Sequence, residues 1–197
     1  MTRLAVRINA IVLLAIAIAA CSSANSRFYT LEPTAAPQTA TSAHEAVMVN
    51  PVFIPAEVDQ PQFVVQVAPN RVEVDDYNRW AAPLSDSIAH AIAGDLAADL
   101  GTHNVITQPA VNFIPAYQVT VDVQRFESIR GEASVVDAVW SVRKTSGSYT
   151  KTGHSVVRES VQGDGFDALA AAHSRALAKI SDDIAAAIRA DAATQSQ

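Results

Sequence analysis

Tyr117-Gln118-Val119-Thr120-Val121-Asp122-Val123-Gln124 puts an apolar residue at every odd position and a polar one at every even position. Successive side chains of an extended strand point to opposite faces, so this period of two describes a strand with one dry face and one wet face. Val136, Ala138, Trp140 and Val142 repeat the device one strand later, and Lys144-Thr145-Ser146-Gly147 then turns into a more polar strand over residues 149–158. Three consecutive strands with short connections predict an antiparallel meander.

Two helices flank it. Leu84, Ile88, Ile92, Leu96 and Leu100 recur every fourth residue ahead of Gly101, which predicts a helix over residues 83–100 with a glycine stop. Phe166, Leu169, His173, Leu177, Ile180, Ile184 and Ile188 form one stripe of a second helix over residues 166–190. Asp95, Asp99, Arg175, Asp182 and Arg189 fall on the opposite faces, so both helices read as one-sided and are expected on a single face of the sheet. Alanines cover much of the remaining helix surface. They suit either high helix propensity with close helix-to-sheet packing or an apolar surface for subunit contacts. The expected fold is α+β: one two-layer domain, a mixed, mostly antiparallel sheet and two amphipathic helices.

Upstream, residues 46–54 read as a strand that Pro51 confines to an edge or a bulge. Residues 63–67 form a second apolar run, and Pro69-Asn70 is a turn before a strand at 71–74, with Asp75-Asp76 and Tyr77 in a further turn. Arg27-Phe28-Tyr29-Thr30-Leu31 is too apolar for spare linker and is expected as an edge strand docked on the domain. Residues 22–26 and 33–43 read as tether and loop. The expected boundaries are a leader over 1–20, a tether and edge strand over 21–44, the domain over 45–190 and a disordered tail over 191–197.

The chain has 197 residues, 49% apolar and 17% charged, with a formal charge of −6. That suffices for one core and argues against broad disorder. Arg3 and Arg7 are the only charged residues ahead of Cys21, so the rest carries 12 basic and 20 acidic residues, a net charge of −8. No Lys/Arg cluster follows, which argues against a nucleic-acid surface. A single cysteine excludes a disulfide framework and a zinc ribbon.

That cysteine ends the leader. Residues 10–20 are an unbroken run of Ala, Ile, Val and Leu, about 16 Å of helix against a hydrocarbon core about 30 Å thick. The run is too short to span a bilayer and suits a secretory signal. Ile18-Ala19-Ala20-Cys21-Ser22 looks like a bacterial lipoprotein processing site, with cleavage between Ala20 and Cys21 and acylation of the Cys21 sulfur and of its new amino group. The other reading is an ordinary signal peptide followed by an incidental cysteine. Each acyl methylene contributes about 0.8 kcal/mol of membrane affinity, and stable anchoring takes about two chains. Lipoproteins of this type go to the outer membrane unless an aspartate follows the cysteine. Ser22 follows here, which predicts the periplasmic face of the outer membrane.

The chemistry of catalysis leaves few traces. The sequence contains no Gly-x-Ser-x-Gly elbow and no phosphate-cradling glycine loop. His44, His90, His103, His154 and His173 never fall within four residues of one another, so no spacing suggests a metal, and no cofactor is expected. His173 lies on an apolar stripe and reads as a core or boundary histidine. Asp182-Asp183 reads as solvated surface, because neighbours on a helix do not share a face. Asp75-Asp76 could be functional or could simply belong to a turn. The chain does not read as an enzyme.

One series of residues stands out: Pro51-Val52-Phe53-Ile54-Pro55, Asp59-Gln60-Pro61-Gln62-Phe63-Val64, Asn70-Arg71 and Asn78-Arg79-Trp80-Ala81-Ala82-Pro83-Leu84. A Trp beside an Arg ahead of a helix-starting Pro could be a staple over the helix entry. With Phe28-Tyr29-Thr30-Leu31, the series resembles the auxiliary lipoproteins of ABC-type transport systems, whose best-known branch is PqiC-like. Gln60 stands where that family usually has Arg, and Ala82 where it usually has Glu. The resemblance implies a non-catalytic outer-membrane component serving a lipid-trafficking system. The partner would be an MCE-domain protein of the inner membrane and periplasm, with an ABC permease and ATPase engaged indirectly; a homo-oligomer would suit such a partner. It leaves Arg71, Arg79 and Trp80 as candidate partner-binding residues and Cys21 as the membrane link. A pilotin-like assembly factor and a tethered hydrolase are the rival classes. The first would share the anchor, and the second would need Asp75, Asp76 and a histidine to converge.

Overall fold

A computed structural model describes residues 25–37 and 45–195. The elements, in chain order, are β1 (Arg27–Tyr29), β2 (Val47–Val49), β3 (Gln62–Ala68), β4 (Arg71–Trp80), α1 (Leu84–Leu100), β5 (Val105–Ile106), β6 (Tyr117–Ile129), β7 (Ala133–Lys144), β8 (Thr150–Ser160) and α2 (Gly165–Gln195). The strand that opens the alternating pattern, β6, is the spine. Along one edge β7 pairs antiparallel from Tyr117↔Lys144 to Ile129↔Ala133, and β8 extends the meander. The other edge is shared by two separate segments. β2 runs parallel beside residues 117–119, the N–H groups of Asn50 and Phe53 donate to the carbonyls of Val119 and Val121, and β3 takes over in parallel at Ser128 and Ile129.

Pro51 explains the handover. Without an N–H it ends regular pairing, and Phe53 survives as a single bridge to Asp122. The sheet is therefore mixed: β6–β7, β7–β8 and β3–β4 are long and antiparallel, while β1–β4, β2–β5, β2–β6 and β3–β6 are short and parallel. Two elements run longer than the sequence predicts. β4 continues to Trp80 through residues expected in a turn and a helix entry. α2 continues to Gln195 through most of the expected tail.

Both helices lie on one face of the sheet. α2 packs on β7 and β8 and against α1, and α1 covers β2 and β5. Gly101 closes α1 in the left-handed conformation at φ 63°, with N–H groups at 101 and 102 returning to the carbonyls of Ala98 and Ala97. Ala89, Ala91, Ala93, Ala170, Ala172 and Ala185 are buried within this one chain, so packing accounts for those alanines.

The core is aromatic at one end. Trp80 stacks on Phe63 with centroids 4.0 Å apart, Tyr29 meets Phe63 edge-on at 5.3 Å, and Phe126 lies flat on His173 at 3.9 Å. Further along the sheet Trp140 lies over Gly153, where an added Cβ would fall 2.1 Å from the indole Cζ2. Its Nε1–H donates to Ser155 Oγ at 3.0 Å, and that hydroxyl donates to Asp183.

His173 is fully buried. Its Nε2 is 2.8 Å from Ser128 Oγ, and its Nδ1 has no partner. Burial in apolar surroundings drives its pKa down to about 3. Between that value and about 6.5 the unfolded chain takes up a proton that the folded chain refuses, so stability falls as pH falls through this window. Asp95, whose pKa is raised to about 6 in the fold, acts in the opposite sense over a narrower range. We expect urea midpoints of the mature chain to fall between pH 7 and pH 4. His173→Gln should lower stability at pH 7 but flatten that loss by on the order of a few kcal/mol. An unaltered pH profile in the variant would remove His173 from this role.

Candidate functional site: the N-terminal strap

The expected processing point, Ala20 and Cys21, lies outside the described residues, as does His44. The first described segment is built into the domain. β1 pairs in parallel with the end of β4 through Arg27↔Asn78, Phe28↔Arg79 and Tyr29↔Trp80. Tyr29 points inward and its hydroxyl donates to Asn78 Oδ1 at 2.7 Å, while Phe28 stays exposed.

Beyond Leu31 the chain has no regular secondary structure, but residues 32–35 are tied down as a strap across both helices. Glu32 N–H donates to Ser174 Oγ of α2 at 3.1 Å. The N–H groups of Thr34 and Ala35 both donate to Asp95 Oδ1 of α1, at 2.7 and 2.8 Å. Pro33 sits on Gly94: a Cβ there would fall 2.2 Å from the Pro33 Cγ. Glycine in the middle of α1 costs about 1 kcal/mol of helix propensity, and here the Pro33 ring occupies the space it leaves.

This is also why Asp95 and Asp99 are not on a wet face. Asp95 is 0% exposed, and Asp99 is buried beside it. α1 is covered by the sheet on one side and by the strap and α2 on the other. Burial pushes the Asp95 carboxyl up to about 6 against the two N–H donors that pull it down, and Oδ2 is left without a partner. Burial likewise raises Asp99, with the Asp182 charge adding to it. Asp182 and Arg189 do pair at the surface, at 3.1 Å. A shallow groove of about 540 Å³ runs beside the strap, lined by Phe28, Glu32, Thr34, Ala170, Ala171 and Arg175 among others.

The three candidate docking residues are not brought together. Trp80 is 5% exposed and is a core residue, which places it in the packing of the aromatic cluster rather than on a surface. Arg79, on the same strand end, is half-buried, and its Nε donates to the Asp76 carbonyl at 3.2 Å. Arg71 is exposed at the other end of β4, beside the turn in which Asn70 adopts φ 61°. That end also holds Arg130 paired with Glu73, and Arg158 paired with Glu132.

Asp75 closes a local turn within β4. Its Oδ1 accepts from Tyr77 N–H, Asn78 N–H and Asn78 Nδ2. Burial alone would raise its pKa, but these hydrogen bonds outweigh it and hold the carboxyl below its ordinary range. The described histidines with hydrogen-bond partners find them elsewhere: His173 at Ser128, His154 at Asp137, and His90 at the Asp86 carbonyl and Thr107. Among the described residues no group of His, Cys, Asp and Glu could hold a metal ion.

Two measurements test this assignment. Gly94→Leu should evict Pro33 and speed amide exchange at residues 32–35, and Asp95→Ala should do the same by orphaning two N–H groups. Exchange unchanged in both would mean that the strap is held otherwise. Trp80→Ala should cost about 3–5 kcal/mol in thermal or urea unfolding, whereas Arg71→Ala should fall within about 0.5 kcal/mol of the parent.

Comparison with known proteins agrees with this architecture. Two solved structures superpose with a TM-score of 0.67, each covering 84% of this chain and 99% of the other: an uncharacterized protein at 20% identity, and protein XCC0632 of the DUF330 family from Xanthomonas campestris at 18% identity. A comparison with curated proteins finds no match. The family model described as the ABC-type transport auxiliary lipoprotein component matches residues 29–185, from the last residue of β1 into the last third of α2. The chain therefore belongs to the ABC-type transport auxiliary lipoprotein family.

Proposed function

We propose that this protein is a lipid-anchored, non-catalytic docking component of an MCE-type, ABC-linked lipid transport system, held at the periplasmic face of the outer membrane. The observation that carries the reading is the strap. In a family of transport auxiliary lipoproteins, the chain after the candidate lipidation cysteine enters the sheet at Arg27 and is then tied across both helices. Only residues 21–26 separate the anchor from the domain, a reach of at most about 20 Å when fully extended. A domain leashed this closely is a stationary post at the bilayer rather than a carrier that crosses the compartment. Ser22, in place of an aspartate, directs the anchor to the outer membrane, and the MCE protein is the component that would come to it.

The arrangement needs no reaction of its own. Binding in such a system depends on surfaces and on the effective concentration that a short tether supplies. Removing the tether should therefore cost more than removing any one surface contact.

Two experiments test the reading. Cys21→Ser should move the protein out of the membrane fraction and abolish its function in cells; continued outer-membrane fractionation would overturn the anchor. The mature lipoprotein in detergent should recover an MCE-domain protein from solubilised envelopes. Recovery of a secretin instead would favour the assembly-factor reading, and repeated recovery of neither would overturn the docking role.

A further inference from the structure

We infer that β8 is an open sheet edge that takes a second copy of this chain, the two β8 strands pairing antiparallel about a two-fold axis at Gly153. The hydrogen bonds of β8 are the starting point. Its register with β7 is unbroken from Arg143↔Thr150 to Ala133↔Ser160. Lys144 N–H donates to the Tyr149 carbonyl at 3.1 Å and Val161 N–H to the Glu132 carbonyl at 3.0 Å, which extends the ladder at both ends. Tyr149 and Val161 thus bond toward β7, and by alternation so does every odd residue between them. The even residues turn N–H and C=O away from the sheet. Among the described residues nothing bonds the backbone edge of Thr150, Thr152, His154, Val156 or Arg158, and all five are exposed. At Ser160 the carbonyl accepts from Arg175 at 2.8 Å.

A row of donors and acceptors at strand spacing is complementary to another extended backbone. The other free edges, β1 and β5, have three and two residues, whereas β8 has eleven. It contains no proline and no bulge, and no described strand lies beyond it.

The layout of charge selects a second copy as the occupant. Odd residues of β8 face the helix layer, as Gly153 does against Trp140 and Ser155 beneath Asp183. Lys151 is on that side, exposed and without an ion-pair partner among the described residues. Asp183, exposed on α2, accepts from Ser155 Oγ and pairs with no cation among them. The remaining charges along this edge are matched within the chain: Glu159 with Arg175 and Lys179, Arg158 with Glu132, His154 with Asp137, and Asp182 with Arg189. An axis at Gly153 sets Lys151 opposite Ser155 of the second copy and beside that copy's Asp183, twice by symmetry. Thr152 then faces His154, Thr150 faces Val156, and Arg158 and Glu159 fall opposite Ser148 and Gly147 of the neutral β7–β8 turn. An axis at Ser155 would instead set Lys151 against Glu159, which already holds two cations, and Asp183 against its own mate.

The helices fit the same axis. α2 packs on β7 and β8 together. With strands about 4.8 Å apart, α2 runs about 5 Å from the axis and about 10 Å from its mate, a distance at which helices pack. Asp183 is level with Ser155 and Ala187 with Tyr149, so the axis crosses α2 near Ala186. Ala186 and Ala190 are exposed and follow Asp183 on the same side of the helix, small enough for close approach. About eight backbone hydrogen bonds form across the axis, with an ion pair on either side.

The test is the assembly state of the mature lipoprotein in detergent, measured by sedimentation. Wild type should be a dimer at micromolar concentration. Val156→Pro removes only an outward N–H, which an edge strand tolerates, and should weaken the dimer by about tenfold or more. Lys151→Glu and Asp183→Lys should each weaken it by about tenfold, and the two together should restore it, a rescue that misfolding would not give. In cells, a Thr152→Cys copy and a His154→Cys copy should form a disulfide with each other, because these positions face at about 5.5 Å between Cα atoms. A Val74→Cys copy, exposed on β4, should form none with either. Wild type monomeric at every concentration would overturn the inference and leave Lys151 as the guard of a bare edge. A dimer indifferent to Val156→Pro and to both charge changes would overturn it too, as would crosslinks from position 152 to a different protein. The docking role proposed above stands apart from these outcomes, since its own test is recovery of the MCE-domain protein.

Discussion

The structure depends on β6 finding hydrogen-bond partners for both edges of a strand running from Tyr117 to Ile129. One edge is simple, because β7 follows immediately and folds back along it. The other edge has no single neighbour of matching length. β2 covers its start, Phe53 bridges its middle, and β3 covers its end. Unpaired backbone groups beside a buried strand cost about as much as lost hydrogen bonds, so two segments far apart in sequence are drawn into line with each other. That alignment carries β4, and with it β1, to the edge of the sheet. The route by which the N-terminal segment joins the sheet follows from the needs of β6.

The second constraint is the helical layer. A helix on a two-layer domain ordinarily buries one stripe and shows the rest to water. α1 buries both sides, because the strap crosses it at Gly94 and Asp95. The cost is visible: a carboxylate with one oxygen unpartnered, and a glycine in the middle of a helix. The strap is held by two N–H donors on that carboxylate and by the Pro33–Gly94 contact, which tie residues 33–35 to α1.

These two constraints set where the described chain begins. β1 joins the sheet level with the last third of β6, on the side of the turns that carry Arg71, Glu73, Arg130, Glu132 and Arg158. Val111 and Ile114 stand exposed at the other end, in the loop ahead of β6.

Much of this was legible in the sequence, and the legible part was local. The period of two at 117–123 and 136–142 is a property of neighbouring residues, as is the fourfold spacing of Leu84 to Leu100, so the meander, the helices and the α+β class follow from it. The series from Phe28 to Leu84, read with a lipoprotein-like start, pointed to the family that the comparison then showed. The rest was decided by contacts across long sequence separations. Periodicity says which face of a helix is apolar but not what covers its polar face, so Asp95 and Asp99 read as solvated and are buried. Trp80 beside an arginine read equally well as an anchor or a staple, and only the stacking partner Phe63, on the neighbouring strand, placed it inside. Gly94 ahead of Asp95 was the one sequence signal of the strap, a helix breaker where nothing local required one. What it made room for is Pro33, 61 residues earlier, which only the folded chain brings there.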